Sequence, residues 1–171
     1  MTETLNDIRQ AVEDFIVHEA ELLDDMRFDD WHKLFTADGT YRIPLSEDTD
    51  PRRHASLVFD DPLRLEERVY HLAQVPFPSQ LPRSRTLHHV SNIRIQPGEG
   101  SANRISVRSN QLISEMRLGD FRQVGLGKQR IFSADVRHVL EVGEDSELKI
   151  ADKSLLLLNR GAPMSNLTFL L

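Results

Sequence analysis

The chain has 171 residues, 39% of them hydrophobic and 28% charged, with 8 glycines, 8 prolines, no cysteine and a formal charge of −6 at neutral pH. That length suits one domain around one core, and the composition excludes disordered and fibrous classes. Basic residues scattered among acids exclude a phosphate-neutralising nucleic-acid surface, and the missing thiols exclude iron–sulfur ligation, cysteine catalysis and cysteine zinc sites within these residues.

The longest apolar run, LLLL at 155–158, is far short of the ~20 residues that span a bilayer. The start MTETLNDIRQ is polar and acidic, unlike a secretory leader. A single cytoplasmic domain over residues 1–171 is therefore expected. In chain order, residues 4–26 place Ile8, Val12, Phe15, Leu22 and Met26 at helical intervals, which predicts an amphipathic helix. Glu19 falls on that stripe. A buried carboxylate must find a partner or stay protonated; an ion pair with an arginine from a strand is expected, the alternative being a catalytic acid.

The segment DWHKLF (30–35) reads as a short second helix, capped by Asp29 or Asp30 and closed at TADG, where Gly39 is free to take a positive φ. TYRIPL reads as a strand, SEDTDPRRH as a charged loop and ASLVF as a second strand. A third helix follows, with Asp61 as N-cap, Pro62 at its first position and Leu65, Val69 and Leu72 at helical spacing. The prolines of QVPFPSQLPRSR (74–85) exclude regular structure there.

From residue 86 the period shortens to alternation in TLHHVSNIRIQ, NRISVRSNQLISEMRL, KQRIFSADVRHVLEV and ELKIADKSLLLL, joined by PGEGS, GDFRQVGLG and GEDS. Four such strands form an antiparallel meander. Helices first and strands afterwards predict an α+β domain, with about three helices on one face of a strongly curved mixed or antiparallel sheet. The final NLTFLL is too apolar to fray and should dock on the protein itself or on a partner.

The adjacent His88 and His89 raise the question of a metal. Neighbouring side chains on a strand point to opposite faces, so the pair forms no clamp. The histidines at 18, 32, 54, 71 and 138 show no metal-ligand spacing, which leaves open only a non-haem iron triad assembled from distant segments, against the commoner role of hydrogen-bonded packing residues. GLG at 125–127 lacks the strand–turn–helix setting of a phosphate loop, and no serine sits in a nucleophile elbow. Trp31, Phe35 and Tyr41 read as core or as the lining of a pocket. Asp38, in ADGT, reads as a turn residue or as an acid in that pocket.

The blocks EAELLDDMRFDDWHKLFTADGTYRIPL (19–45), DDPLRLEERV (60–69), PRSRTLHHVSNIRI (82–95), VRSNQLI (107–113) and LLLLNRGAPMSNLTFLL (155–171) together resemble the small, or beta, subunit of bacterial aromatic-ring-hydroxylating dioxygenases. The resemblance covers nearly the whole chain. It implies a cone-shaped fold of the nuclear transport factor 2-like (cystatin-like) kind. It also implies a non-catalytic role supporting large alpha subunits in an alpha3beta3 assembly, with the small chains self-associating as a trimer. The Rieske 2Fe-2S cluster and the mononuclear iron would then sit in the alpha subunit and no cofactor in this chain. In the matched block the resemblance implies that Arg83, Arg85 and His88 fix the strand or meet a neighbouring subunit, while His89 departs from the family's apolar residue. Trp31 and Tyr41 match a block of core and pocket-lining residues.

Two other readings stay open on the residues alone. The same cone in other proteins encloses acid–base chemistry, as in isomerases, dehydratases and hydrolases, for which Glu19, Asp38 and His88 would be the candidates. A binding module for a small apolar ligand would need the cavity without the titratable pair.

Overall fold

The computed structural model describes residues 2–47, 54–97, 103–119, 126–164 and 167–171. Its elements run α1 (Thr2–Asp24), α2 (Phe28–His32), β1 (Phe35–Pro44), β2 (Ser56–Asp60), α3 (Pro62–Gln74), β3 (Arg85–Pro97), β4 (Arg104–Met116), β5 (Gln129–Val142) and β6 (Leu148–Leu157). Most of SEDTDPRRH, PGEGS and GDFRQVGLG, and Asn166 of the chain end, lie outside the described residues.

α1 forms because Val12, Ile16, Leu22 and Leu23 recur at helical spacing and are all buried. Ile8 begins the same stripe but remains exposed. The helix closes with the Arg27 amide on Leu22 O at 2.8 Å and the Met26 amide on Leu23 O at 3.1 Å, with Met26 left-handed at φ 56°. That 6→1 and 5→2 pair is the Schellman closure, formed here without a glycine. α2 begins two residues earlier than its sequence suggests. Arg27 holds the N-cap position, and Asp29 and Asp30 lie in the first turn, where a carboxylate favours the positive end of the helix.

α3 starts as its sequence predicts: Asp61 accepts a hydrogen bond from the Arg64 amide at 3.0 Å, Pro62 opens the helix, and Leu65 and Val69 are buried. Removal of this cap in D61A should cost about 1 kcal/mol, read as a lowered urea midpoint with an unchanged slope. The proline-rich stretch holds only a short 3-10 turn (Pro78–Gln80).

The six strands form one sheet in the order β2-β1-β6-β5-β4-β3, curved and unclosed. β3 to β6 are the predicted meander. β1 then lies parallel to β6, so the sheet is mixed. The helices pack against it through α1 on β3 and α3 on β1, with α2 between α1 and α3. β1 begins at Phe35, earlier than the expected strand, and its pairing with β6 jumps from Phe35↔Ile150 to Thr40↔Asp152.

Gly39 lies inside this bulged stretch and is not among the positive-φ glycines. The helix-ending turn expected there is absent. Glycine is needed instead for close approach, since a Cβ at Gly39 would stand 2.8 Å from Ile150 O.

Candidate functional site

Side-chain parity brings together an interior charged cluster. Asp60, Tyr41, Lys153, His138 and Val107 are paired in successive registers across β2, β1, β6, β5 and β4, so they form one row on the inner face. Glu19 descends onto this row from α1. Its Oε1 accepts from Lys153 Nζ at 2.8 Å and from Trp31 Nε1 at 3.0 Å; its Oε2 accepts from His138 Nε2 at 2.9 Å. Trp31 and His138 are fully buried, and Glu19 and Lys153 are 1% exposed.

Burial alone would raise the Glu19 pKa, but Lys153 and His138 outweigh it and hold the carboxyl well below the usual carboxylate range. The expected arginine partner is therefore replaced by a lysine, a histidine and an indole. The Lys153 ammonium also donates to the main-chain oxygen of Leu171 at 3.1 Å and lies 5.8 Å from the Trp31 ring and 5.9 Å from the Tyr41 ring, a cation–π arrangement. The Tyr41 hydroxyl donates to the same Leu171 oxygen and accepts from the Leu171 amide, both at 3.2 Å. Burial pushes its pKa up. Leu170 and Leu171 are buried, so the described part of the apolar chain end docks on the protein itself.

Trp31 contacts Phe35 at 4.8 Å and Tyr41 at 5.7 Å, edge to face, and all three are core. Phe35 also lines a cleft that it shares with Thr36, Gly39, Pro62 and Leu65. Asp38 is exposed on β1 and accepts from Thr36 Oγ1 at 2.8 Å, so the expected turn is part of the strand. The acid–base candidates Glu19, Asp38 and His88 thus each engage different partners.

His88 and His89 face opposite sides of β3. The His88 ring is 1% exposed and meets Asp24 Oδ1 through Nδ1 at 2.6 Å, while its amide donates to Asp24 Oδ2 at 2.9 Å. This clamp ties the end of α1 to β3. Burial raises the Asp24 pKa, but the bonds from His88 outweigh it and leave it lowered. His88 Nε2 is buried without a partner, whereas His89 is exposed. Arg83 and Arg85 are exposed, and neither forms an ion pair among the described residues. Among those residues no three histidine, aspartate or glutamate side chains could hold a metal.

The outer face of the sheet carries the second feature. Leu87 and Ile131 both pair with Ser114, Leu112 pairs with Ser133, and the Leu158 amide bonds Ser133 O. Leu112 is therefore diagonal to Leu87 and Ile131. These four leucine and isoleucine side chains are 54%, 50%, 62% and 78% exposed for Leu87, Leu112, Ile131 and Leu158. The same face turns ionic toward its other end, where Arg108 meets Asp135 and Arg42 meets Asp152. An apolar area beside a polar rim has the anatomy of a protein–protein interface. Arg85, opposite Met116 on β3, borders it.

The family model described as ring hydroxylating beta subunit matches residues 18–163. The chain is 43% identical over 118 residues to the small oxygenase component of the p-cumate 2,3-dioxygenase system of Pseudomonas putida, covering 66% of this chain and 63% of that one. The match thus spans less than two thirds of that relative's length. The beta subunit of the benzoate 1,2-dioxygenase from Burkholderia mallei superposes with a TM-score of 0.70 at 22% identity, over 93% of this chain and 95% of that one. A structure of naphthalene 1,2-dioxygenase with bound indole gives 0.77 at 17% identity, over 95% of this chain and 84% of that one. Those two likenesses establish the shared fold.

Proposed function

This chain belongs to the ring hydroxylating beta subunit family, and from that premise we propose that it is the non-catalytic small subunit of an oxygenase acting on an aromatic compound. Its role is to hold large, iron-bearing subunits in a stable assembly. The observation that carries this reading is the uncovered aliphatic area of Leu87, Leu112, Ile131 and Leu158, which a chain acting alone would expose to water at a cost. Without a cysteine these residues cannot ligate an iron–sulfur cluster, so the redox chemistry belongs to the partner. No described helix is long and apolar enough to cross a membrane.

The finer assignments follow from the same premise. Three small chains associate about a three-fold axis and carry three large ones, in the cytoplasm. Glu19, Trp31 and Tyr41 stiffen the cone from inside, His88 fixes β3, and Arg85, beside the aliphatic area, stays at the surface for subunit contacts, whereas Arg83 lines a cleft instead. Expression with and without the large subunit encoded in the same genome tests the reading through mass in solution and oxygen consumption with an aromatic substrate. A stable mixed complex whose activity needs this chain is the expected outcome. A large subunit that is soluble and fully active alone, with no complex formed, overturns it.

A further inference from the structure

A cleft of about 920 Å³ lies between β2, α3, the proline-rich segment and residues 167–169, beside the Asp60 end of the charged row and lined by none of the four residues of the aliphatic sheet face. That volume falls within the range of small-molecule sites, roughly 300–1,000 Å³. α3 turns one face to it, because Arg64, Glu67, Arg68 and His71 recur at helical spacing and all line it. The apolar part of the lining includes Leu57, Phe77 and Leu81, which are 40%, 43% and 57% exposed, and Phe77 meets the His71 ring edge to face at 5.9 Å.

The charges are unequally spent. Arg68 is held by Asp60, with Nη2 on Oδ1 at 3.0 Å. Arg64 and Arg83, which also line the cleft, form no ion pair among the described residues. Next to Arg83 in the same wall, Ser84 Oγ is buried without a hydrogen-bond partner. A buried hydroxyl is ordinarily satisfied, so this atom calls for a ligand or a water.

We propose that the cleft binds an amphipathic carboxylate. The anionic head meets Arg83, with Arg64 at the rim; a small shift of residues 83–84 brings the buried Ser84 Oγ within its reach, and the apolar body lies on Leu57, Phe77 and Leu81. A planar guanidinium matches a carboxylate in two-point geometry. Three guanidiniums (Arg64, Arg68, Arg83) against two carboxylates (Asp60, Glu67) favour a monoanion over a phosphate dianion. Glu67 repels a head group placed against α3, which directs the anion to the Arg83 side.

The test titrates the full chain, alone and in complex with its large subunit, with naphthalene-2-carboxylate and decanoate by calorimetry, using 2-naphthamide and 1-decanol as uncharged controls. The aryl and alkyl arms distinguish the two sources of such an anion. At least one anion should bind with a Kd on the order of 100 µM, as expected for a ligand of this size. Its neutral control should bind at least roughly tenfold more weakly. R83M should weaken the anion by a similar factor without shifting the melting temperature, since Arg83 is exposed and unpaired. Equal binding of neutral and anionic forms, no saturable binding by either anion, unchanged affinity in R83M, or loss of binding in the complex would each overturn the proposal.

Discussion

E19Q should remove about 3–5 kcal/mol of folding stability at neutral pH, enough to leave a domain of this size near its unfolding threshold. The cause is not the lost Coulomb energy alone. Lys153 is 1% exposed, and Glu19 is the carboxylate it meets, at 2.8 Å; without it an ammonium stays buried beside two aromatic rings. E19L combined with K153M should recover only part of the loss: it removes the unpaired charge but leaves the buried Trp31 Nε1 and His138 Nε2 without their acceptor. A cost below about 1 kcal/mol for E19Q in urea unfolding would mean that the cluster is not the keystone its burial implies.

The same pair makes stability depend on pH with a definite sign. The Glu19 carboxyl is held below its ordinary range in the folded chain. Its contribution is therefore complete above the unfolded-state pKa of about 4.3 and is lost as pH falls through the lower folded-state value. The stability gap between wild type and E19Q should accordingly narrow as pH drops below about 4. Unfolding curves at neutral pH and near pH 3 measure it.

Elements whose signals are local were legible in the sequence. Asp61 and Pro62 announce α3 because cap and first turn are fixed by adjacent residues, and the meander follows from two-residue alternation in β3 to β6. Non-local pairing was not. Nothing near residue 35 says that β1 will run parallel to β6, and the bulge that places Gly39 against Ile150 is set by that pairing.

The partners of Glu19 were missed for the same reason, although a signal existed. Lys153 shares its inward parity with Leu155 and Leu157, and His138 shares its own with Val136 and Leu140. A lysine and a histidine aimed at the core, together with a glutamate on the apolar stripe of α1, have to meet or remain unpaired in a medium that penalises unpaired charge. Arg83 and Arg85 fall on exposed positions, where local sequence sets no partner.

The outer face leads to the second large effect. L112E combined with I131E should leave the chain folded, because both side chains are more than half or about half exposed and surface substitutions are usually worth within about 0.5 kcal/mol. Association with the large subunit or with further copies should fall on the order of a hundredfold or more, since two carboxylates would be desolvated in an apolar contact. R108Q, at the ionic end of the same face where Arg108 meets Asp135, should change association only slightly, because rim charges act mainly on encounter rate. Mass in solution and melting temperature of the three proteins separate these outcomes. If L112E/I131E assembles as wild type does, the aliphatic area is not the contact surface. The ionic half, whose charges are largely satisfied within the chain, offers much less apolar area to take its place.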